Sequence, residues 1–151
     1  MCISTGDREI SMFSQRIRSV MKQEKFLTAP PETTISSAAR LMARKRVGAI
    51  MVVDEQRLVG IFTERDAVFR VIARGRDVEK TRLAEVMTAR PKTVDPEKSF
   101  GFALLMMQEN GFRHVPVVED GKPVGIVSSR NALDPDMEEF EIEAQRRMHF
   151  R

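Results

Sequence analysis

Apolar residues follow a helical spacing at two places in this chain. Between residues 35 and 42 they stand at i, i+3, i+4 and i+7, the pattern of an amphipathic helix, and the same spacing returns between residues 100 and 107. Each stretch comes shortly after a proline, Pro31 or Pro96. Because proline keeps the residue before it out of helical geometry, we expect both helices to begin after these prolines.

Two short apolar runs follow each of these stretches, and polar residues separate them. The runs are Ala49–Val53 and Leu58–Phe62 in the first half, and Val115–Val118 and Val124–Val127 in the second. Runs of this length and composition predict paired strands. The second pair is joined by Asp120-Gly121, a strong signal for a tight antiparallel hairpin.

Further helices are predicted around these units. Residues 64–74 predict a closing helix that stops at Gly75. An amphipathic lead-in at residues 16–26 returns before the second half as Leu83, Val86 and Met87. Near the end of the chain, Asp134 can cap a new helix and Pro135 suits its first turn.

The chain repeats itself. Residues 28–68 align with residues 93–133 without a gap, at a constant offset of 65 positions. A fixed internal period means two copies of one supersecondary unit, and the seam between such units can hold a small molecule. We therefore predict an N-terminal arm (1–15), a first motif (16–75), a linker (76–82), a second motif (83–133) and a C-terminal helix (134–151).

Composition narrows the function classes. With 151 residues and 42% hydrophobic content, the chain suits one compact domain of two half-units. The single Cys2 excludes an internal disulfide and fits a reducing compartment. The longest apolar run, Phe100–Met107, is too short to span a membrane, which takes roughly 20 residues. The start of the chain shows no signal-like apolar core. We expect a soluble, cytoplasmic protein.

Thr63 and Asp66 are the leading candidates for ligand chemistry. They stand where a predicted strand gives way to a helix, one turn apart, so both side chains can face one ligand. A hydroxyl at a helix start favours an anion, and a carboxylate can accept hydrogen bonds from two ribose hydroxyls. A phosphate also needs cations, and the candidates are Arg65, Arg113, His114 and Arg130. The same Thr-x-x-Asp pattern is a helix cap, in which Thr63 bonds the N–H of Asp66; capping and binding are compatible.

Two motif copies at the repeat's own offset point to a family. One copy reads Gly60-Ile61-Phe62-Thr63-Glu64-Arg65-Asp66, the other Gly125-Ile126-Val127-Ser128-Ser129-Arg130-Asn131, and the second unit also carries Arg113-His114-Val115-Pro116. With the order strand, helix, strand, strand, helix, the chain resembles the CBS domain family, named after cystathionine β-synthase. The resemblance covers about residues 16–133. It implies an α/β (α+β) fold in which two CBS motifs, each a small sheet with two packed helices, form a pseudo-twofold pair.

The resemblance also implies a ligand and its contacts. CBS pairs bind adenosine nucleotides between the motifs, with Asp66 expected on the ribose, Thr63 on the phosphate, and Ser128 in the phosphate role of a second site. Asn131 departs from the motif because it is neutral, so we expect the site of Thr63 and Asp66 to bind better. Base recognition is expected from backbone near residues 28–30 and 49–51. The full set of expected binding residues is Gly60, Thr63, Arg65, Asp66, Thr28, Ala29, Ala49, Ile50, Arg113, His114, Ser128, Arg130 and Asn131.

Several functions stay open at this point. No catalytic constellation, phosphate loop or metal site is suggested, so we do not expect an enzyme or a catalytic cofactor. The first hypothesis is a stand-alone regulatory module that binds an adenosine nucleotide, with AMP expected first and ADP, ATP or NAD as alternatives. It would dimerise through its helices and signal energy or cofactor status to an unidentified protein partner. The second hypothesis is a constitutive interaction scaffold whose nucleotide site has decayed. A third and weaker one is nucleic-acid binding, which the net charge of +3 and the absence of Tyr and Trp disfavour.

Overall fold

The computed structural model describes residues 13–21, 26–132, 144 and 146–148. Most of the predicted N-terminal arm lies outside the described residues. So does nearly all of the predicted C-terminal helix, which includes Asp134 and Pro135.

The first half contains the predicted elements in the predicted order. They are α1 (Ile17–Met21), β1 (Thr28–Ala29), α2 (Ile35–Lys45), β2 (Ala49–Asp54), β3 (Arg57–Thr63) and α3 (Glu64–Asp66), which continues as a π-helix over Ala67–Ile72. Helix α2 begins where a cap allows it, because the Thr34 hydroxyl accepts the N–H of Ser37 at 3.2 Å.

The second half has a similar order of helices and strands, but its counterpart of β1 at the 65-residue offset is a single parallel bridge between Val94 and Val117. Its elements are α4 (Leu83–Val86), β4 (Thr88–Ala89), α5 (Phe100–Asn110), β5 (His114–Glu119), β6 (Lys122–Ser128) and a 3₁₀ turn over Ser129–Ala132. The predicted hairpin is confirmed, with positive φ at Asp120 and Gly121 (53° and 78°), as a two-residue hairpin turn requires. The predicted mixed fold of two motifs is also confirmed.

The closing helix of the first half ends earlier than predicted. It stops at Ile72 instead of Arg74, and its last turns are wide. The N–H of Ala73 donates to the Val68 carbonyl five residues back, at 2.9 Å. Gly75 does end the segment, with a φ of 64° and its N–H bonded to the Ile72 carbonyl.

The sheets do not divide as the repeat does. Four strands form one sheet in the order β1-β2-β3-β4, and β5 and β6 form a second. Strand β4 follows the linker, yet it pairs antiparallel with β3, placing Ala89 opposite Gly60 and Thr88 opposite Ile61. The first part of the second motif therefore becomes part of the first sheet.

The lead-in segments are exchanged between the motifs. Leu83 and Val86, which precede the second copy, are buried in the core cluster built mainly from the first motif. Ile17, which precedes the first copy, is buried in the cluster of the second motif, and its N–H donates to the Lys98 carbonyl at 2.9 Å. Each hydrophobic core is thus completed by a segment that lies next to the other motif in sequence.

Two glycines mark the points where the exchanged segments pack. A Cβ atom added to Gly60 would overlap Met87, and one added to Gly125 would lie 2.8 Å from the sulfur of Met21. These glycines are equivalent in the repeat, and the two lead-in methionines differ by 66 positions, one more than the offset of the repeat. The glycine therefore makes room for a methionine from the opposite lead-in.

Within the described part of the chain, no helix has the length and apolar character needed to cross a membrane.

We predict that Gly60→Ala lowers the free energy of unfolding by about 1–3 kcal/mol, the usual range for overpacking a core. Urea denaturation measures the loss. In a Met87→Ala background the same change should cost clearly less, because the overlapping side chain is gone. Equal costs in the two backgrounds would contradict this account of Gly60.

Candidate functional site

A cleft of about 210 Å³ lies between the two motifs. Three segments line it: the end of β3 with the start of α3, the chain around and after β4, and the turn between α5 and β5. The first segment belongs to the first motif and the third to the second motif. The seam predicted from the repeat is therefore present.

Thr63 and Asp66 line this cleft from the first motif. The Asp66 Oδ2 atom accepts the Thr63 N–H at 2.9 Å and the Thr63 hydroxyl at 3.1 Å, and the N–H of Asp66 lies 3.3 Å from the same hydroxyl oxygen. This is a complete capping box, so the capping interpretation is confirmed. Both residues are half-buried and still face the cleft.

The other carboxylate oxygen of Asp66, Oδ1, takes no part in the cap. It lies 3.5 Å from Nε of Arg70, one helical turn further on, and 13% of the Asp66 side chain remains exposed. The cap therefore occupies one carboxylate oxygen, and the other is available to accept hydrogen bonds from a ligand.

Cations reach the cleft from three directions. Arg65 lies beside Asp66, Arg113 comes from the second motif, and Lys92 comes from the segment after β4. Nη1 of Arg65 lies 3.4 Å from the Gly111 carbonyl, so this side chain crosses from one motif to the other. An anion in the cleft would meet positive charge from both motifs, including the segment after β4.

His114 is half-buried at the second-motif side of the cleft. Burial lowers its pKa, since water no longer solvates the imidazolium; the nearby Glu64 carboxylate opposes this, while Arg113 and Arg130 reinforce it. Glu64 and His114 both lie close to Gly48, where an added Cβ would be 3.1 Å from Oε1 of Glu64 and 3.5 Å from Cε1 of His114.

The second motif's box is closed. The Asn131 Oδ1 atom accepts the Ser128 N–H at 2.8 Å and lies 3.4 Å from the Ser128 hydroxyl. Ser128 and Asn131 are both buried, with relative exposures of 7% and 3%. This pair has the same capping role as Thr63 and Asp66, but it does not open into the cleft described here.

The remaining expected binding residues also do not line this cleft. Gly60 lies beneath Met87, and Arg130 is exposed on the 3₁₀ turn. The residues expected near the base are in β1 and β2: Thr28 and Ala29 pair with Met51 and Val52, and Ala49 and Ile50 pair with Thr63 and Phe62. The side of the cleft opposite Asp66 is formed by the second motif, and β1 and β2 of the first motif do not form it.

Sequence reasoning missed six lining residues besides Lys92. They are Ile61, Glu64, Thr88, Pro91, Gly111 and Phe112. The β4 segment reaches the cleft through its pairing with β3, which no local pattern reveals. The sequence did contain one signal for Gly111 and Phe112, because they immediately precede Arg113 and His114, which were predicted to bind the ligand.

Most charges of the cleft are not repeated in the other copy, although Arg65 corresponds to Arg130. At the 65-residue offset, Lys92 corresponds to Leu27, Arg113 to Gly48, and His114 to Ala49. Asp66 likewise corresponds to the neutral Asn131. At these four positions, a charged or polar residue of the cleft is replaced by an uncharged or apolar residue in the other copy. The two seams of the pair are therefore chemically different.

Comparison with known proteins gives a family. The model of the CBS domain matches residues 17–73 and again residues 83–136. The two matches together span well over half of the chain and fall on the two halves of the repeat.

Individual relatives agree with this match. The mitochondrial CBS domain-containing protein CBSX3 of Arabidopsis thaliana is 33% identical over 144 residues, which is 88% of this chain and 70% of that protein. Among solved structures, a CBS domain protein from Pyrobaculum aerophilum complexed with AMP is 26% identical, with a TM-score of 0.71, covering 78% of this chain and 89% of the other. A hexameric CBS-CP12 protein from bloom-forming cyanobacteria is 25% identical, with a TM-score of 0.73, covering 80% and 67% of the two chains.

Several other curated relatives are much longer than this chain. It spans 21% of one such Arabidopsis protein and 14% of a Schizosaccharomyces pombe protein.

We predict that His114 makes stability depend on pH. Its pKa is lowered in the folded state, so below the unfolded value of about 6.5 the unfolded chain binds a proton that the folded protein does not. The free energy of unfolding should therefore fall as the pH drops from 7.5 to 5.5, by up to about 1.4 kcal/mol for each unit of pKa difference. Denaturant titrations at several pH values measure this.

His114→Gln should flatten the pH dependence, and His149→Gln, which changes the only other histidine, is the control. Glu64→Gln should lower the pKa of His114 further, as NMR titration would show, because a neighbouring negative charge is lost. A wild-type slope that survives His114→Gln would contradict the assignment.

Proposed function

Because this chain belongs to the CBS domain family, we propose that it is a regulatory module that binds an adenosine nucleotide in the cleft between its two motifs. The observation that carries the proposal is the cleft itself. It brings Thr63 and Asp66 of the first motif opposite Arg113 and His114 of the second, which are the residue types that a sugar phosphate requires.

Each part of the nucleotide has a matching surface. Oδ1 of Asp66 would accept from the ribose hydroxyls, since Oδ2 is engaged in the cap. The cations Arg65 and Arg113 would hold the phosphate, and the Thr63 hydroxyl would join them by turning its proton from Asp66 to the phosphate. Ile61 and Phe112 supply apolar surface for the base.

The size of the cleft favours a small ligand. Its volume of about 210 Å³ is below the roughly 300–1,000 Å³ typical of pockets for drug-sized ligands, so AMP fits better than a dinucleotide such as NAD. The relative from Pyrobaculum aerophilum was crystallised with AMP. We therefore place AMP first, and ADP and ATP after it.

We propose one ligand per chain. The second box is buried, its acidic position is the neutral Asn131, and two of the three cations of the first cleft, Lys92 and Arg113, have uncharged counterparts in the other copy. A second site would lack the carboxylate for the ribose and would keep Arg130, the counterpart of Arg65, as the one repeated cation for the phosphate.

The output of binding would be a shift between arrangements of the two motifs that a separate protein reads. A ligand shifts such an equilibrium only by its differential affinity for the two states. No group of three or more His, Cys, Asp and Glu residues in the described ranges could hold a metal ion, and we propose no catalytic role. A cytoplasmic location stays a prediction, although the Arabidopsis relative is named mitochondrial.

We also propose a homodimer. Val68, Phe69 and Ile72 leave an apolar surface on the π-helix, with 49%, 60% and 69% of each residue exposed, and Phe102 and Leu105 do the same on α5. Burying such residues against a second copy removes apolar area from water. One structural relative is a hexamer, so self-association occurs among similar proteins.

The first test of nucleotide binding is Asp66→Asn. Asparagine keeps a carbonyl for the cap, as Asn131 does for Ser128, but it removes the negative charge that the ribose hydroxyls would contact. We expect AMP affinity to fall at least about tenfold in calorimetry, with the melting temperature nearly unchanged. Asp54→Asn, at an exposed position outside the cleft, is the matched control.

The wild-type titration also tests the stoichiometry, which we expect to be one AMP per chain. If the wild-type protein shows no response to millimolar AMP, ADP or ATP, the nucleotide-binding proposal is wrong and the scaffold hypothesis replaces it. Retained affinity in Asp66→Asn would overturn the role of the carboxylate.

The test of the dimer is Phe69→Asp, which puts a charge on the proposed interface. We expect native mass spectrometry to show a dimer for the wild type and a monomer for the variant. Phe26→Asp changes an exposed phenylalanine outside both helices and should leave the dimer intact. A monomeric wild type would contradict the proposal.

A further inference from the structure

Arg70 joins two parts of the cleft that are far apart in sequence. Its Nε atom lies 3.5 Å from the Asp66 Oδ1 atom. Its Nη1 atom donates to the Val86 carbonyl at 3.3 Å and to the Met87 carbonyl at 3.2 Å. One guanidinium therefore contacts the candidate ribose-binding carboxylate and the end of the helix that precedes β4.

We propose that Arg70 is a positioning residue that holds the Asp66 carboxylate in its ligand-binding orientation. The inference rests on the proposed function, because it assigns a role toward the nucleotide. Arg70 does not line the cleft and acts on the ligand through Asp66.

The carboxylate is held at both oxygens. Oδ2 accepts two hydrogen bonds from Thr63, and Oδ1 faces the Arg70 guanidinium. A carboxylate oxygen has more than one lone pair, so Oδ1 can face the guanidinium and still accept from a hydroxyl group. Without Arg70, only the bonds to Oδ2 would restrain rotation of the planar carboxylate, and Oδ1 would lose its own contact.

The repeat supports a role tied to the carboxylate. At the 65-residue offset, Asp66 corresponds to Asn131 and Arg70 corresponds to Pro135. The copy with a neutral amide, whose box is closed to the cleft, also lacks the arginine. The charged partner therefore occurs in the copy whose carboxylate is presented to the cleft.

The other contacts of Arg70 give this arrangement a fixed anchor. Val86 is the last residue of α4 and is buried, and the carbonyls at a helix end lack intrahelical partners. By donating to the Val86 and Met87 carbonyls, Arg70 satisfies them and is held in place. The chain continues from Met87 into Thr88 and Lys92, which line the cleft, so Arg70 also sets the distance between Asp66 and that wall.

The experiment compares AMP with 2′-deoxy-AMP, which lacks one of the hydroxyls that Asp66 would contact. We expect the wild type to prefer AMP by about tenfold, the value of a hydrogen bond to a charged group. Arg70→Gln should reduce that preference to about twofold, chiefly by weakening AMP. Arg70→Lys should lie between them, since it keeps the charge but cannot contact Asp66 and both carbonyls at once.

Arg76→Gln is the matched control. Arg76 pairs with Glu85 on the same α4 helix at 3.0 Å, but it does not contact Asp66. This variant should lose a comparable ion pair and keep the wild-type preference for AMP.

The outcomes separate the inference from the proposed function. If Arg70→Gln lowers the affinity for AMP and 2′-deoxy-AMP equally, or changes neither affinity, Arg70 is a structural residue. Either result would overturn the inference while nucleotide binding stands. A wild type that binds neither nucleotide would overturn the proposed function, and the role of Arg70 with it.

Discussion

The exchange of lead-in segments is the constraint on which the rest of the structure depends. Ile17 and Leu83 are completely buried, and burying a side chain of this size contributes about 1.5–3 kcal/mol. Each of these two residues is buried in the core of the motif that is farther from it in sequence. Because this packing brings β4 onto β3, it also delivers Lys92 to the cleft. The site thus follows from the way the two cores are completed.

Within the cleft, the atoms that end a strand and start a helix are also the atoms that face the ligand space. The bonds between Thr63 and Asp66 satisfy backbone N–H groups, and the same bonds fix the hydroxyl and the carboxylate relative to each other. A preorganised site loses less entropy when a ligand binds. Capping therefore prepares the pair for binding. The second copy shows the limit of this argument, since Ser128 and Asn131 form the same cap while buried.

Much of the fold could be predicted because its signals are local. Hydrophobic spacing indicated α2 and α5, Asp120-Gly121 indicated the hairpin, and the repeat indicated two motifs with a seam. What could not be predicted depends on contacts between distant segments. Gly60 was interpreted as a ligand contact, whereas its missing side chain makes room for Met87. Likewise, the wall opposite Asp66 comes from the second motif, and local patterns do not show which strands meet across a seam.

The exchanged lead-ins bear on how such a pair could have arisen. A polypeptide with a single copy would leave the apolar stripe of its first helix in water, and could cover it only by trading that segment with another molecule. Duplication within one gene would turn this trade between molecules into one within a chain, where it no longer depends on protein concentration. Once the halves were joined, each seam could change without its twin, and a symmetric ancestor could become a chain with two unequal faces.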